Sequence, residues 1–149
     1  MYVDLHLHTN ESDGRLTPTE LVDVAGQRGL RVIAVTDHDS TEGLEEAFAA
    51  AKKYPQLTVI PGIELSTDIP GSEVHILGYF INYQDADLQV KLRSFREARQ
   101  DRGRRMVEKL RAMDIYIDWE RVLHFAQGGA GSVGRPHVAQ ALLESGYVA

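Results

Sequence analysis

Residues 31–36, Arg31-Val32-Ile33-Ala34-Val35-Thr36, form an apolar run with a polar lip, Asp37-His38-Asp39, directly behind it. Side chains alternate between the two faces of a strand, so four consecutive apolar residues need cover on both sides. That environment belongs to a strand inside a parallel sheet with helices packed on it. Sheets and barrels of this kind carry their chemistry just past the C-terminal ends of the strands. The run therefore predicts an α/β fold and marks where a site should lie.

The flanking chain agrees. Tyr2-Val3-Asp4-Leu5-His6-Leu7-His8 reads as a first strand, and Thr9 to Gly14 as turn chemistry able to fold the Asp13 carboxylate back. Thr17-Pro18-Thr19-Glu20 predicts a helix start with a capping box, and Leu21, Val22, Ala25 and Leu30 its inward face, ended by Gly29. A second helix is expected from about Glu42 to Lys53, stopped at Tyr54-Pro55. Leu57 to Ser66 is a third strand, with a kink, a bulge and a break all open at Pro61-Gly62. Ser72 to Ile81 is a fourth, joined by a link too short for a helical crossover, so a hairpin is expected.

Beyond this β-α-β-α-β-β segment the pattern turns helical. A long helix over about 87–113 shows an inward stripe of Leu88, Leu92, Phe95, Met106, Leu110 and Met113. Arg99 and Arg102 fall on that stripe, and Gly103 interrupts it at a cost of about 1 kcal/mol relative to Ala. A short helix capped by Asp118 carries Trp119, Val122, Leu123 and Phe125. A flexible glycine-rich loop, 127–134, leads to a last helix opened by Pro136, with Val138, Ala139, Leu142 and Leu143 facing inward.

The 149 residues contain no cysteine, which excludes a disulfide framework and thiolate metal sites. Any metal must be held by His, Asp and Glu, a donor set that suits Zn, Mn and Fe alike. No apolar run approaches the roughly 20 residues of a membrane span, and a strand at the N-terminus leaves no place for a signal peptide. A soluble cytoplasmic chain with no membrane and no stable protein partner is expected. The net charge of −6 hides an asymmetry: residues 91–111 hold nine basic and three acidic side chains, +6 against −12 elsewhere. One basic helix on an acidic protein suggests an anionic ligand.

Collected at the strand ends are His6, His8 and Asp13, then Asp37 and His38, then Glu64, with His75 on the fourth strand. Seven donors exceed the three or four one metal takes. Two or three metals about 3.5–4 Å apart, sharing a carboxylate such as Glu64, would use them. Sites of that kind hydrolyse phosphate esters by acidifying water and neutralising charge on the attacking and leaving oxygens. Opposite, Arg135-Pro136-His137 at a helix start makes Arg135 and His137 the leading phosphate contacts, followed by Arg99 and Arg102. His124 has no such context.

With Asp4-Leu5-His6-Leu7-His8-Thr9, Ser12-Asp13-Gly14, Ile33 to Asp39, Pro61-Gly62-Ile63-Glu64 and Val74 to Tyr79, the sequence resembles the PHP (polymerase and histidinol phosphatase) family of metal-dependent phosphoesterases. The arginine-spaced helix and Gly134-Arg135-Pro136-His137 resemble the branch acting on nucleoside 3',5'-bisphosphates and the 5' ends of short RNAs. The resemblance implies the N-terminal part of a distorted (β/α)7 barrel, residues 1–84, followed by a mainly helical insertion, residues 85–149. It implies divalent Mn, Fe or Zn, with His6 and His8 on a first metal, Glu64 bridging to a second, and His75 on that second. Asp13 and His38 would hold a third, and Asp37 would be an outer or weak ligand. The family's later ligands, a His before Pro and an Asp-x-His, are expected beyond Ala149, so the chain reads as a fragment whose open barrel edge could self-associate. Against the nucleotide phosphoesterase stand a histidinol-phosphate phosphatase, a polymerase-associated exonuclease and a truncated, non-catalytic metal- or partner-binding module.

Overall fold

The computed structural model describes residues 2–69, 72–126 and 132–148. Its elements are β1 (Tyr2–Leu7), α1 (Pro18–Gln27), β2 (Leu30–Val35), α2 (Leu44–Ala51), β3 (Thr58–Ile69), β4 (Ser72–Tyr79), α3 (Ala86–Arg111), α4 (Trp119–Phe125) and α5 (Arg135–Glu144). The four strands form one sheet in chain order. β1, β2 and β3 run parallel, and β4 returns antiparallel to β3. The α/β architecture and the hairpin are those expected.

Local chemistry sets each element. Thr17 and Glu20 close the capping box that starts α1, and Gly29 ends the turn with φ of 74°. Leu30 therefore opens β2 rather than closing the α1 face. In β2, Ile33, Ala34 and Val35 are at most 1% exposed, so the apolar run is buried where it approaches its polar lip. α1 and α2 pack side by side, and Leu21, Val22, Leu44 and Ala47 join Ile33 and Val35 in one core. α2 begins two residues later than expected, at Leu44.

Pro61-Gly62 neither breaks nor ends β3. It is where the strand changes partners. Val35 pairs with Pro61 as the last contact with β2, and Gly62 pairs with Tyr79 as the end of the β4 ladder. Proline lacks the N–H that a continuous ladder would require there.

The α3 stripe differs from expectation. Its buried residues are Leu92, Arg99, Gly103 and Val107. Phe95 and Met113, expected inside, are 40% and 68% exposed. Two contacts turn the helix. Arg99 is drawn inward by an ion pair described below, and Gly103 lets the Trp119 ring approach, since a Cβ there would lie 3.0 Å from that ring. The glycine read as an interruption is thus the contact between α3 and α4. Val107, Val122, Val133, Val138 and Ala141 build a second core around it. In α5 the inward residues are His137, Val138 and Ala141 rather than Ala139 and Leu143. The expected flexible loop falls largely on 127–131, outside the described residues.

Candidate metal centre

The Glu64 carboxylate, 5% exposed, is the hub of the site. His75 Nδ1 lies 2.6 Å from it, His6 Nε2 2.8 Å, His8 Nε2 3.0 Å and His38 Nδ1 3.6 Å. On the far side, Asp13 approaches His8 Nδ1 at 3.0 Å and His38 Nε2 at 3.6 Å. The four imidazoles run in file, His6, His8, His38, His75, with ring centroids 5.0, 4.7 and 4.8 Å apart. Five separate segments thus deliver the six expected ligands to one place.

Each is placed by its backbone. The β1–β2 register slips between Asp4 and Leu7. An irregularity of this kind re-aims side chains, and here it falls at His6. After β1 the chain folds back so tightly that a Cβ on Gly14 would sit 2.3 Å from the His8 carbonyl oxygen. Glycine at 14 is therefore what brings Asp13 over His8. On the other side, β4 lies beside β3 so that His75 pairs with Ser66, two residues past Glu64. His38 bridges to Glu64 beyond the end of β2.

Asp37 is not gathered with these ligands. Its carboxylate accepts the Thr9 N–H at 2.7 Å, the Thr9 hydroxyl at 2.7 Å and the Ser12 hydroxyl at 2.6 Å. Both oxygens are occupied in holding the loop that carries Asp13. This geometry supports reading Asp37 as an outer residue of the site. Thr9 and Ser12, 0% and 1% exposed, were missed as site residues. Their signals were their place in the turn between His8 and Asp13 and in the motif segments that carry the resemblance.

Charge and burial compete throughout. Burial would raise the Asp13 carboxyl, but the His8 hydrogen bond and the charges of His38, His8 and His137 hold it down at about 2. Burial and the nearby Arg99 push His38 down to about 4, so its imidazole is neutral at physiological pH. Neutral imidazole is the metal-binding form.

The donor set fits divalent metal ions. Three groups have ligand atoms within 4.8 Å of one another: His6, His8 and Glu64; His8, Asp13 and His38; His38, Glu64 and His75. Two ligands about 2.05 Å from a tetrahedral ion lie roughly 3.3 Å apart. The observed separations already bracket that value. His38 Nδ1 is in addition buried with no hydrogen-bond partner among the described residues, facing Glu64. A buried imidazole nitrogen left open in this way is what a cation would satisfy.

The four residues expected to meet phosphate scatter. Arg99 and Arg102 line a cavity of about 270 Å³ together with Asp39, Ser66, Phe95 and Arg105. Asp39 follows His38, so the cavity borders the cluster. Arg99 is 6% exposed and pairs with Asp39 at 2.5 Å, not with solvent. His137 is 3% exposed, accepts the Gly134 N–H through Nδ1 at 2.9 Å and hydrogen-bonds the Ser12 backbone. It fastens α5 to the Asp13 loop. Arg135 is exposed and lines a separate apolar cleft with Met106, Leu110, Val138 and Leu142.

Comparison with known proteins is consistent with this geometry. The PHP domain family model matches residues 4–145. A 3',5'-nucleoside bisphosphate phosphatase of Chromobacterium violaceum is 38% identical over 146 residues, covering 98% of this chain and 50% of that protein. The 5'-3' exoribonuclease Rnm of Salmonella typhimurium is 40% identical over 147 residues, covering 98% and 50%. A crystal structure from Bifidobacterium adolescentis, assigned as a metal-dependent phosphoesterase, superposes with a TM-score of 0.90 at 35% identity, covering 99% of this chain and 51% of that one. The chain spans about half the length of the relatives it matches.

Proposed function

This chain belongs to the PHP domain family, whose N-terminal half-barrel it forms, and from that premise we propose that it carries the metal-binding wall of a nucleotide phosphoesterase. The observation that supports this best is the convergence of His6, His8, Asp13, His38, Glu64 and His75 at ligand-to-ligand spacing. These six are the proposed ligands of two or three divalent ions, with Mn, Fe or Zn as the proposed metals. Bound there, such ions would acidify water and offset the charge gathering on a phosphoryl group.

The chain's own residues supply the rest. Glu64 presents one carboxylate to four imidazoles and so fixes their mutual spacing. Asp37 clamps the loop bearing Asp13. Arg102 and Arg105, on the wall of the adjoining cavity, place guanidinium groups where an anionic substrate would enter. The substrate class proposed is a nucleoside 3',5'-bisphosphate or the 5' end of a short RNA, a reading supported by the likeness to a 3',5'-nucleoside bisphosphate phosphatase and to a 5'-3' exoribonuclease. The boundary proposed between barrel half and helical insertion, 1–84 against 85–149, follows the two separate cores. Among the described residues no helix is long and apolar enough to cross a membrane.

The test is release of phosphate from adenosine 3',5'-bisphosphate by the Mn²⁺-loaded full-length protein, with histidinol phosphate as the competing substrate. Turnover of the bisphosphate at least tenfold faster supports the reading. Faster turnover of histidinol phosphate, or a metal-loaded protein inert to both, overturns it.

A further inference from the structure

Asp39 is the residue of the Asp37-His38-Asp39 lip that no role above uses. It is 0% exposed, and its φ of 51° puts a non-glycine residue in the left-handed region. A residue is held there only when its surroundings overdetermine it. All four of its polar atoms are engaged. Its N–H donates to the Glu64 carbonyl at 2.9 Å, and its Oδ1 accepts the Ser66 N–H at 3.1 Å. Its Oδ2 accepts Arg99 Nε at 2.5 Å, and its carbonyl accepts Arg96 Nη1 at 3.2 Å. Arg99 also donates to the Ser66 hydroxyl.

Two of these bonds grip β3 directly behind the Glu64 side chain, one at the Glu64 carbonyl and one at the Ser66 N–H, on either side of Leu65. Asp39 is covalently next to His38. It therefore ties together, through two hydrogen bonds and one peptide link, two of the six proposed metal ligands. The other two bonds reach α3, whose arginines supply the positive charge that a fully buried carboxylate needs. We propose that Asp39 is a positioning residue of the metal centre, setting the separation of His38 from Glu64, and that Arg99 is the counter-charge that locks it there. This rests on reading the six-ligand cluster as a metal centre. It also gives Arg99 a task other than gripping substrate.

A pair that merely stapled α3 to the sheet would change stability and leave metal affinity alone, so affinity is the deciding readout. The chain is titrated with Co²⁺ at neutral pH, following the visible ligand-field absorbance, with far-ultraviolet circular dichroism on the same samples. Asp39→Gly removes the carboxylate yet accepts the left-handed backbone. Asp39→Asn keeps an oxygen for the Ser66 N–H. Arg99→Met removes the lock. Groups that orient metal ligands typically account for about 10–100-fold in affinity, and that loss is expected for Asp39→Gly and Arg99→Met. Asp39→Asn should recover part of it.

A folded Asp39→Gly chain that binds Co²⁺ within threefold of wild type overturns the proposal, whatever its melting temperature. If Asp39→Gly does not fold, Arg99→Met decides by the same threshold. A wild-type chain that binds neither Co²⁺ nor Mn²⁺ removes the metal centre and this proposal together. Wild-type binding with indifferent variants removes this proposal alone.

Discussion

Replacing Asp37 separates two roles a buried carboxylate beside metal ligands could play. At 2% exposure it accepts three hydrogen bonds of 2.6–2.7 Å from Thr9 and Ser12. Asp37→Ala leaves the Thr9 N–H, itself on a residue 0% exposed, without an acceptor. An orphaned buried donor costs about 1–3 kcal/mol and each further lost bond about 1 kcal/mol, so roughly 4 kcal/mol in all. For a chain of this size that corresponds to a fall in Tm of roughly 10 °C. Asp37→Asn should behave differently. Burial already pushes the Asp37 carboxyl up, against the hydrogen bonds from Ser12 and Thr9. A neutral amide escapes that burial cost, and its oxygen can keep the Thr9 N–H and the Ser12 hydroxyl, which share Oδ1. A change of under about 1 kcal/mol is expected. The assay is thermal unfolding of the metal-free chain, paired with metal content after Mn²⁺ loading. Asp37→Asn should load like wild type, because the residue holds a loop rather than a metal. An Asn variant as damaged as the Ala variant, or one that loses a metal equivalent, would refute the reasoning.

Three further outcomes are expected. His8→Ala removes a donor from two of the three ligand groups, so metal content by elemental analysis should fall by at least one equivalent and hydrolysis by the full-length protein should be abolished. Gly103→Val forces a branched side chain into the space held by the Trp119 ring; overpacking of this kind costs about 1–3 kcal/mol, read as a lower Tm with metal content unchanged. Without metal, the His8–Asp13 pair gives a definite pH window. Burial lowers the His8 pKa, but Asp13 and the other carboxylates outweigh it, so it ends above 6.5 and its stabilisation is lost as pH rises through that raised value. The Asp13 pKa is depressed from 3.8 to about 2, so its share is present above 3.8 and lost as pH falls toward 2. Urea midpoints across pH 2–9 should show that window in wild type and lose both edges in Asp13→Asn.

What the sequence made legible followed from short-range periodicity. The strand character of β1, the double-sided apolar run of β2 and the capping box of α1 are each decided within a few residues, and the structure bears them out. The convergence of the six proposed ligands was legible because strand ends concentrate them. Residue pattern by itself does not separate Asp37 and Asp39 from their neighbour His38, since all three are polar residues on one lip; the family resemblance alone set Asp37 apart as an outer or weak ligand. Only the tertiary partners, Thr9 and Ser12 for one and Arg99 and Ser66 for the other, give them distinct tasks. Arg99 illustrates why the α3 stripe misled: a helix face is set by what lies across from it, and a buried aspartate there recruits an arginine where pattern alone asks for an apolar residue. Phe95 was displaced outward by the same rotation, and no signal within α3 records it; Met113 lies beyond the end of the helix.

The sharing of Glu64 has a consequence for how the centre fills. Its two oxygens lie against all four imidazoles, so in the proposed metal centre the first ion to arrive would draw on a donor that the next would also need. Sites that compete for one donor have dependent affinities, and the dependence is mutual by thermodynamic linkage. Filling of the proposed centre would then be a cooperative process, positive or negative, rather than a sum of independent isotherms. A change at any one imidazole would then propagate to the occupancy of positions it never touches.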